Sequence, residues 1–170
     1  MNLDPYWDYL ENVARERLQN NVTVRHVSEY GPGIEIMGAA GELAARLYLG
    51  LPPSLHTQFD AGADLRWRGW TVDVKSTRLT LTIAHKFLQF PSWKTVRADI
   101  VMMVAVDVDR QDAVPLGWAT KQMVNNAKVN ETRKVECREI PVPNLLPMWA
   151  LFTINPLDHS LRRSEFQIQT

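Results

Sequence analysis

One cysteine, Cys137, stands in a chain of 170 residues. No internal disulfide can form, so a reducing compartment is expected, and the thiol reads as a buried small hydrophobe rather than a nucleophile. Long apolar runs are missing too. None approaches the roughly 18 residues of a membrane span, so no membrane partner is expected. The opening stretch, MNLDPYWDYLENVARERL, lacks a basic segment followed by an apolar one, which argues against a signal peptide. Lys plus Arg and Asp plus Glu both total 19, so net charge selects no partner, although a local basic patch would suffice for a nucleic acid. His26, His56, His85 and His159 are scattered, without the close spacing of a zinc pair, and read as structural or surface residues. The stretches GPG and GAAG have neither the lysine nor the spacing of a phosphate-binding loop. Repeats, low-complexity tracts and linkers are absent, so one domain over residues 1–170 is the simplest organisation.

What is present reads as α/β. Asp4-Pro5 looks like an N-cap and first helical position. Leu3, Trp7, Leu10, Ala14 and Leu18 follow at helical spacing, and QNN ends that helix near residue 20. VTVRHV predicts a short strand and SEYGPG a loop. A second helix is expected from about Ile34 to Leu49, closed by Gly50 and two prolines. GADLRWRGWTVDVKST predicts a hairpin, and LTLTI a strand after it. ADIVMMVAVDV has no polar alternation, as expected of a strand buried on both faces. VPLGWA continues the strands, TKQMVNNA predicts a short helix, VECREIPV a further strand, and NLLPMWALFT a short helix or packed segment.

The hairpin carries the chemistry. With Arg68-Gly69 as a two-residue turn, Trp67 faces Trp70, Arg66 faces Thr71, Leu65 faces Val72 and Asp64 faces Asp73. Side chains alternate with period two. One face therefore collects Leu65, Trp67, Trp70, Val72 and Val74, and the other Asp64, Arg66, Thr71, Asp73 and Lys75. A slip of one residue would mix the two sets, so the pattern supports this register. It also opposes two carboxylates with Cβ atoms about 4.5–5.5 Å apart, an arrangement that destabilises a sheet. A divalent cation between them reverses the sign, and magnesium takes one or two carboxylates while keeping several waters. Lys75, on the face of Asp73, is placed to reach a phosphate or water at that ion.

In the preceding helix Ile36, Met37, Ala40, Leu43, Ala44 and Leu47 form an apolar stripe, and Glu42 lies off it. Gly38 and Gly41, poor helix formers, make sense where this helix packs closely on the sheet. Taken alone, Glu42 reads as the partner of Arg46 on a solvated face, worth about 0.2–0.5 kcal/mol.

Glu42, Asp64 and then Asp73-Val74-Lys75 across a hairpin together resemble the PD-(D/E)XK nuclease superfamily, with its restriction-endonuclease-like fold. The likeness spans roughly residues 34 to 125 and is nearest to small phage or mobile-element members; Ala63 stands where the named motif has proline. The resemblance implies a central mixed β-sheet flanked by helices, with the hairpin carrying the active site. It implies Asp64 and Asp73 as metal ligands, Lys75 as the catalytic lysine, Glu42 as an auxiliary acid or further ligand, and the Val74 carbonyl as a ligand. Activity would be Mg²⁺-dependent hydrolysis of DNA phosphodiesters, with Mn²⁺ as a substitute, in the cytoplasm (the host's, for a phage protein). A homodimer stays open.

Substrate contacts are expected to be basic. Between residues 61 and 100 the cations are Arg66, Arg68, Lys75, Arg78, Lys86, Lys94 and Arg97, against only Asp64, Asp73 and Asp99. Arg66 and Arg78 are expected to flank the site on its own face, with Ser76 and Thr77 as hydroxyl donors to a phosphate. Two other readings stay open: a catalytically inactive nuclease-fold protein for DNA binding or assembly, and an unrelated module whose exposed tryptophans bind protein.

Overall fold

The computed structural model describes residues 1–21, 32–55, 62–132 and 135–154. Most of VTVRHV and SEYGPG, with His26, His56 and His159, lies outside them. A 3-10 turn at Asp4–Tyr6 leads into α1 (Trp7–Asn21). Its N-cap is Leu3 rather than Asp4, whose N–H is instead taken by Asn2 Oδ1 at 2.8 Å. Leu3, Trp7, Leu10 and Ala14 are buried, as their spacing predicts. Helix α2 (Pro32–Tyr48) ends where Gly50 enters the left-handed region at φ 71°. Gly50 N–H then bonds Leu47 O, and Leu51 N–H bonds Arg46 O, which closes the last turn.

Strands β1 (Leu65–Trp67), β2 (Trp70–Arg78), β4 (Ile100–Asp107) and β5 (Asp112–Thr120) form a four-stranded sheet in the order β1-β2-β4-β5. The sheet is mixed: β2 and β4 run parallel, while the other pairs are antiparallel. The hairpin register is Leu65↔Val72, Arg66↔Thr71 and Trp67↔Trp70, as the alternation requires. Arg68 and Gly69 both take positive φ, 49° and 83°, the requirement of the two-residue turn that matches strand twist. Strand β4 is buried from Ile100 to Val106, with sheet neighbours on both sides.

The two faces of this sheet carry separate apolar cores. On one, Val72, Val74, Ile100, Met102 and Val104 pack with α2 and α1. On the other, Val101 and Met103 meet Leu88, Phe90 and Ile140 of a second sheet. That sheet has the order β3-β7-β6, from β3 (Phe87–Pro91), β6 (Lys128–Asn130) and β7 (Cys137–Pro141), and Cys137 is buried in it. A short helix α3 (Lys121–Asn125) starts at Thr120, whose side chain accepts the Met123 N–H. The expected strand LTLTI does not form. Leu79 N–H makes a last bond to Val106 O, β4 ends at Asp107, and among the described residues no neighbour remains for a continuing strand. Leu81 is fully exposed, and Ile83–His85 form a 3-10 turn. Among the described residues no helix is long and apolar enough to cross a membrane.

The two helix glycines differ. A Cβ on Gly41 would collide with Ser76 Oγ and lie 3.1 Å from Ser76 Cβ, so α2 rides on β2 at that point. A Cβ on Gly38 would meet nothing within 4 Å among the described residues beyond its own helix, and the close packing expected there is not seen. Gly38→Ala is therefore expected to stabilise the protein, by up to about 1 kcal/mol. Gly41→Ala is expected to cost roughly 1–3 kcal/mol, most of it recovered by adding Ser76→Gly. Urea melts of the three variants check this, and equal effects at the two glycines would contradict the close approach at Gly41.

Candidate active site

Strand β1 is 3 residues long and β2 is 9, so β1 covers only the beginning of its partner. In a strand the N–H and C=O of one residue point to the same neighbour. Asp99 N–H bonds Thr71 O and Leu79 N–H bonds Val106 O, so the odd residues of β2 face β4. Its even residues, Val72 and Val74, face the β1 side. Asp64 sits where β1 gives out. Its N–H bonds Val72 O at 2.9 Å, and its Oδ2 accepts the Val74 N–H at 2.6 Å. A carboxylate thus replaces the next ladder carbonyl, and the Val74 C=O is directed along the same edge.

This corrects the expected pairing of Asp64 with Asp73 across the ladder. β1 begins at Leu65, and Asp64 leaves the ladder because its side chain takes a backbone donor. The acids still act on one another through their charges, but around an edge. Asp73 is buried on the odd face of β2, and Lys75 Nζ donates to its Oδ1 at 2.6 Å. The Lys75 ammonium also lies 5.4 Å from the centre of the Phe90 ring. From the opposite face α2 brings Glu42, the residue after Gly41. Glu42 does not pair with Arg46, which bonds Pro52 O and Ser54 Oγ instead. It is gripped by Arg17 of α1, with Nη1 on Oε1 at 2.7 Å and Nη2 on Oε2 at 2.6 Å.

The charges register this convergence. Burial pushes the Asp64 carboxyl up to about 8, and the charges of Glu42 and Asp73 push the same way. The Val74 N–H and the Lys75 charge oppose them without cancelling the effect. Among the described residues no three His, Cys, Asp or Glu side chains are arranged to hold a metal ion. Each acid is instead turned to a protein donor: Glu42 to Arg17, Asp64 to Val74 and Asp73 to Lys75.

The expected substrate residues divide by face. Arg66 is exposed and opposite Thr71, on the side of Asp73 and Lys75, and half-buried Thr77 shares that side. Ser76 and Arg78 do not. Alternation turns both to the α2 side, where Ser76 meets Gly41, because β2 continues unbroken to Arg78. Arg97 packs against Gly62, on the chain entering Asp64. Asp99 is structural: its Oδ2 takes the Thr71 N–H at 2.9 Å and the Thr71 hydroxyl at 2.7 Å, tying the start of β2 to that of β4.

Arg17 is the residue that sequence reasoning passed over. Its signal was a charge three residues after Ala14 and seven after Leu10, in line with a buried stripe. Trp67 and Trp70 are buried on the inner hairpin face, which removes them from any protein-binding surface, while Trp93 and Trp149 are exposed. No protein-family model, curated protein or solved structure matches this chain.

Proposed function

We propose that the protein is a metal-dependent DNA nuclease with a restriction-endonuclease-like fold, hydrolysing phosphodiester bonds at the edge of β2 beyond β1. One observation carries the reading: Glu42, Asp64, Asp73 and Lys75 converge around that edge, where the Val74 carbonyl is directed. The donor types suit a divalent cation. Hard oxygen ligands are what magnesium takes, and an acid pushed up to about 8 by burial and two neighbouring carboxylates marks a site short of positive charge.

Asp64, Asp73 and the Val74 carbonyl would hold Mg²⁺ or Mn²⁺, which when bound supplies Lewis-acid polarisation of a phosphate oxygen and acidifies water. Lys75 orients or deprotonates the attacking water, or offsets the negative charge that grows on the phosphate. Water oxygen bonds to phosphorus, the bond to the leaving sugar oxygen breaks, and that oxygen collects a proton. Arg66 and Thr77 hold the phosphate on the Lys75 side, and Arg97 steers the strand past Gly62.

A plasmid and linear-duplex cleavage assay tests the reading. Mg²⁺ and Mn²⁺ are expected to support cleavage, Ca²⁺ to support DNA binding with little turnover, and EDTA to abolish cleavage. Undiminished cleavage in EDTA would remove the metal mechanism. A second reading, an inactive nuclease-fold DNA-binding or assembly protein, draws on the donors already seated on Asp73 and Glu42. It predicts DNA binding indifferent to EDTA, and no cleavage with any ion.

A further inference from the structure

We propose that Arg17 is a positioning residue that acts as a fixed second cation of the acid cluster, keeping Glu42 out of metal ligation so that the site takes one divalent ion. This rests on the metal reading above and concerns what Glu42 does within it.

Arg17 reaches from α1 to α2 and engages both Glu42 oxygens, at 2.7 and 2.6 Å. Both side chains are only 14% exposed, so water screens the pair poorly. Two parallel N–H···O bonds from a planar guanidinium are the strongest form of this contact, and their geometry is specific to arginine. Burial alone would lower the Arg17 pKa. The Glu42 hydrogen bonds and charge outweigh it, helped by Asp64 and Glu35, and the pKa is raised. Because arginine does not deprotonate in proteins, the positive charge held against Glu42 is permanent. A divalent ion on Glu42 would have to displace this fork or sit beside a permanent positive charge.

The other two acids are held differently. Asp64 accepts one backbone N–H, which leaves lone pairs on both oxygens. Asp73 is engaged at one oxygen by Lys75, a lysine on a flexible stem with its side chain 36% exposed. The cluster therefore sorts itself: Asp64, Asp73 and the Val74 carbonyl are available to one ion, and Glu42 belongs to Arg17.

The test is calorimetric titration of Mn²⁺ into the full chain without DNA. Wild type is expected to bind one ion, Arg17→Met two, and Arg17→Met with Glu42→Gln one again. Glu42→Gln alone keeps an acceptor for Arg17 and is expected to leave the stoichiometry at one ion. One ion on both wild type and Arg17→Met overturns the proposal and leaves the metal reading standing. So does the loss of the bound ion on Glu42→Gln. Should Arg17→Met fail to fold, Glu42→Gln decides alone. No ion on any of the proteins removes the metal reading and this proposal together.

Discussion

Lys75→Ala is expected to reduce DNA cleavage by about 10²–10⁴-fold, the range for losing a positioned proton-transfer group, while metal affinity is kept or rises. The two halves of this expectation come from one contact. Lys75 Nζ lies 2.6 Å from Asp73 Oδ1, so the ammonium is within reach of anything Asp73 binds. An ammonium has donors and no acceptor, so it cannot ligate an ion and competes with one for the carboxylate. Removing it costs the chemistry and frees the ligand. Lys75→Arg separates the roles left open for the lysine. Arginine keeps the charge but does not give up its proton, so substantial residual cleavage means charge stabilisation and a full loss means proton transfer. Single-turnover cleavage with parallel Mn²⁺ titrations checks this. A fall in metal affinity that tracks the fall in rate would show that Lys75 holds the acids together rather than acting on water or phosphate.

How much of this was legible in the chain depends on what each pattern encodes. Alternation from Leu65 to Lys75 states which side chains share a face, and a turn with positive φ at Arg68 and Gly69 pins the register, so the hairpin was readable. The run around Ile100–Val106 was readable because a strand with neighbours on both sides and a core on each face has no place for polar residues. Alternation does not say whether a partner strand exists. LTLTI has the pattern of a strand, but β4 ends beside it and no ladder forms. The same limit hid the departure of Asp64 from the ladder, since a side chain replacing a carbonyl leaves the local sequence unchanged. Arg78 has the wrong parity for the Lys75 side expected of it, since β2 continues unbroken to that residue. The Arg17–Glu42 pair joins residues 25 apart in sequence, and only the packing of α1 on α2 brings them together.

The stability of the metal-free protein is expected to fall as pH rises from about 4 to about 8, and Asp64 is the cause. Its carboxyl ionises near 3.8 in an unperturbed chain and near 8 in the folded protein. Between those values the native state keeps a proton that the unfolded chain has released. Stability then drops with rising pH, by up to about 1.4 kcal/mol per pH unit from this one group. Below that window both states are protonated and nothing is lost. Above it both are ionised, and the penalty of a buried charge beside Glu42 and Asp73 is felt in full. Asp64→Asn cannot ionise and still offers an oxygen to the Val74 N–H, so in EDTA the variant is expected to lack this slope and to be the more stable protein at pH 8. Magnesium narrows the gap. An ion that binds only the folded wild type stabilises it by RT ln(1 + [L]/Kd), about 2.7 kcal/mol at a hundredfold excess over Kd, and the variant, lacking the charge, gains little. Thermal melts of both proteins at pH 5 and pH 8, in EDTA and in saturating Mg²⁺, decide the matter. If magnesium leaves the gap between the two proteins at pH 8 unchanged, the convergence on Asp64 is a structural feature and no ion is held there. If magnesium raises the wild type and not the variant, the acid that replaces a ladder carbonyl at the end of β1 is kept because a cation binds it.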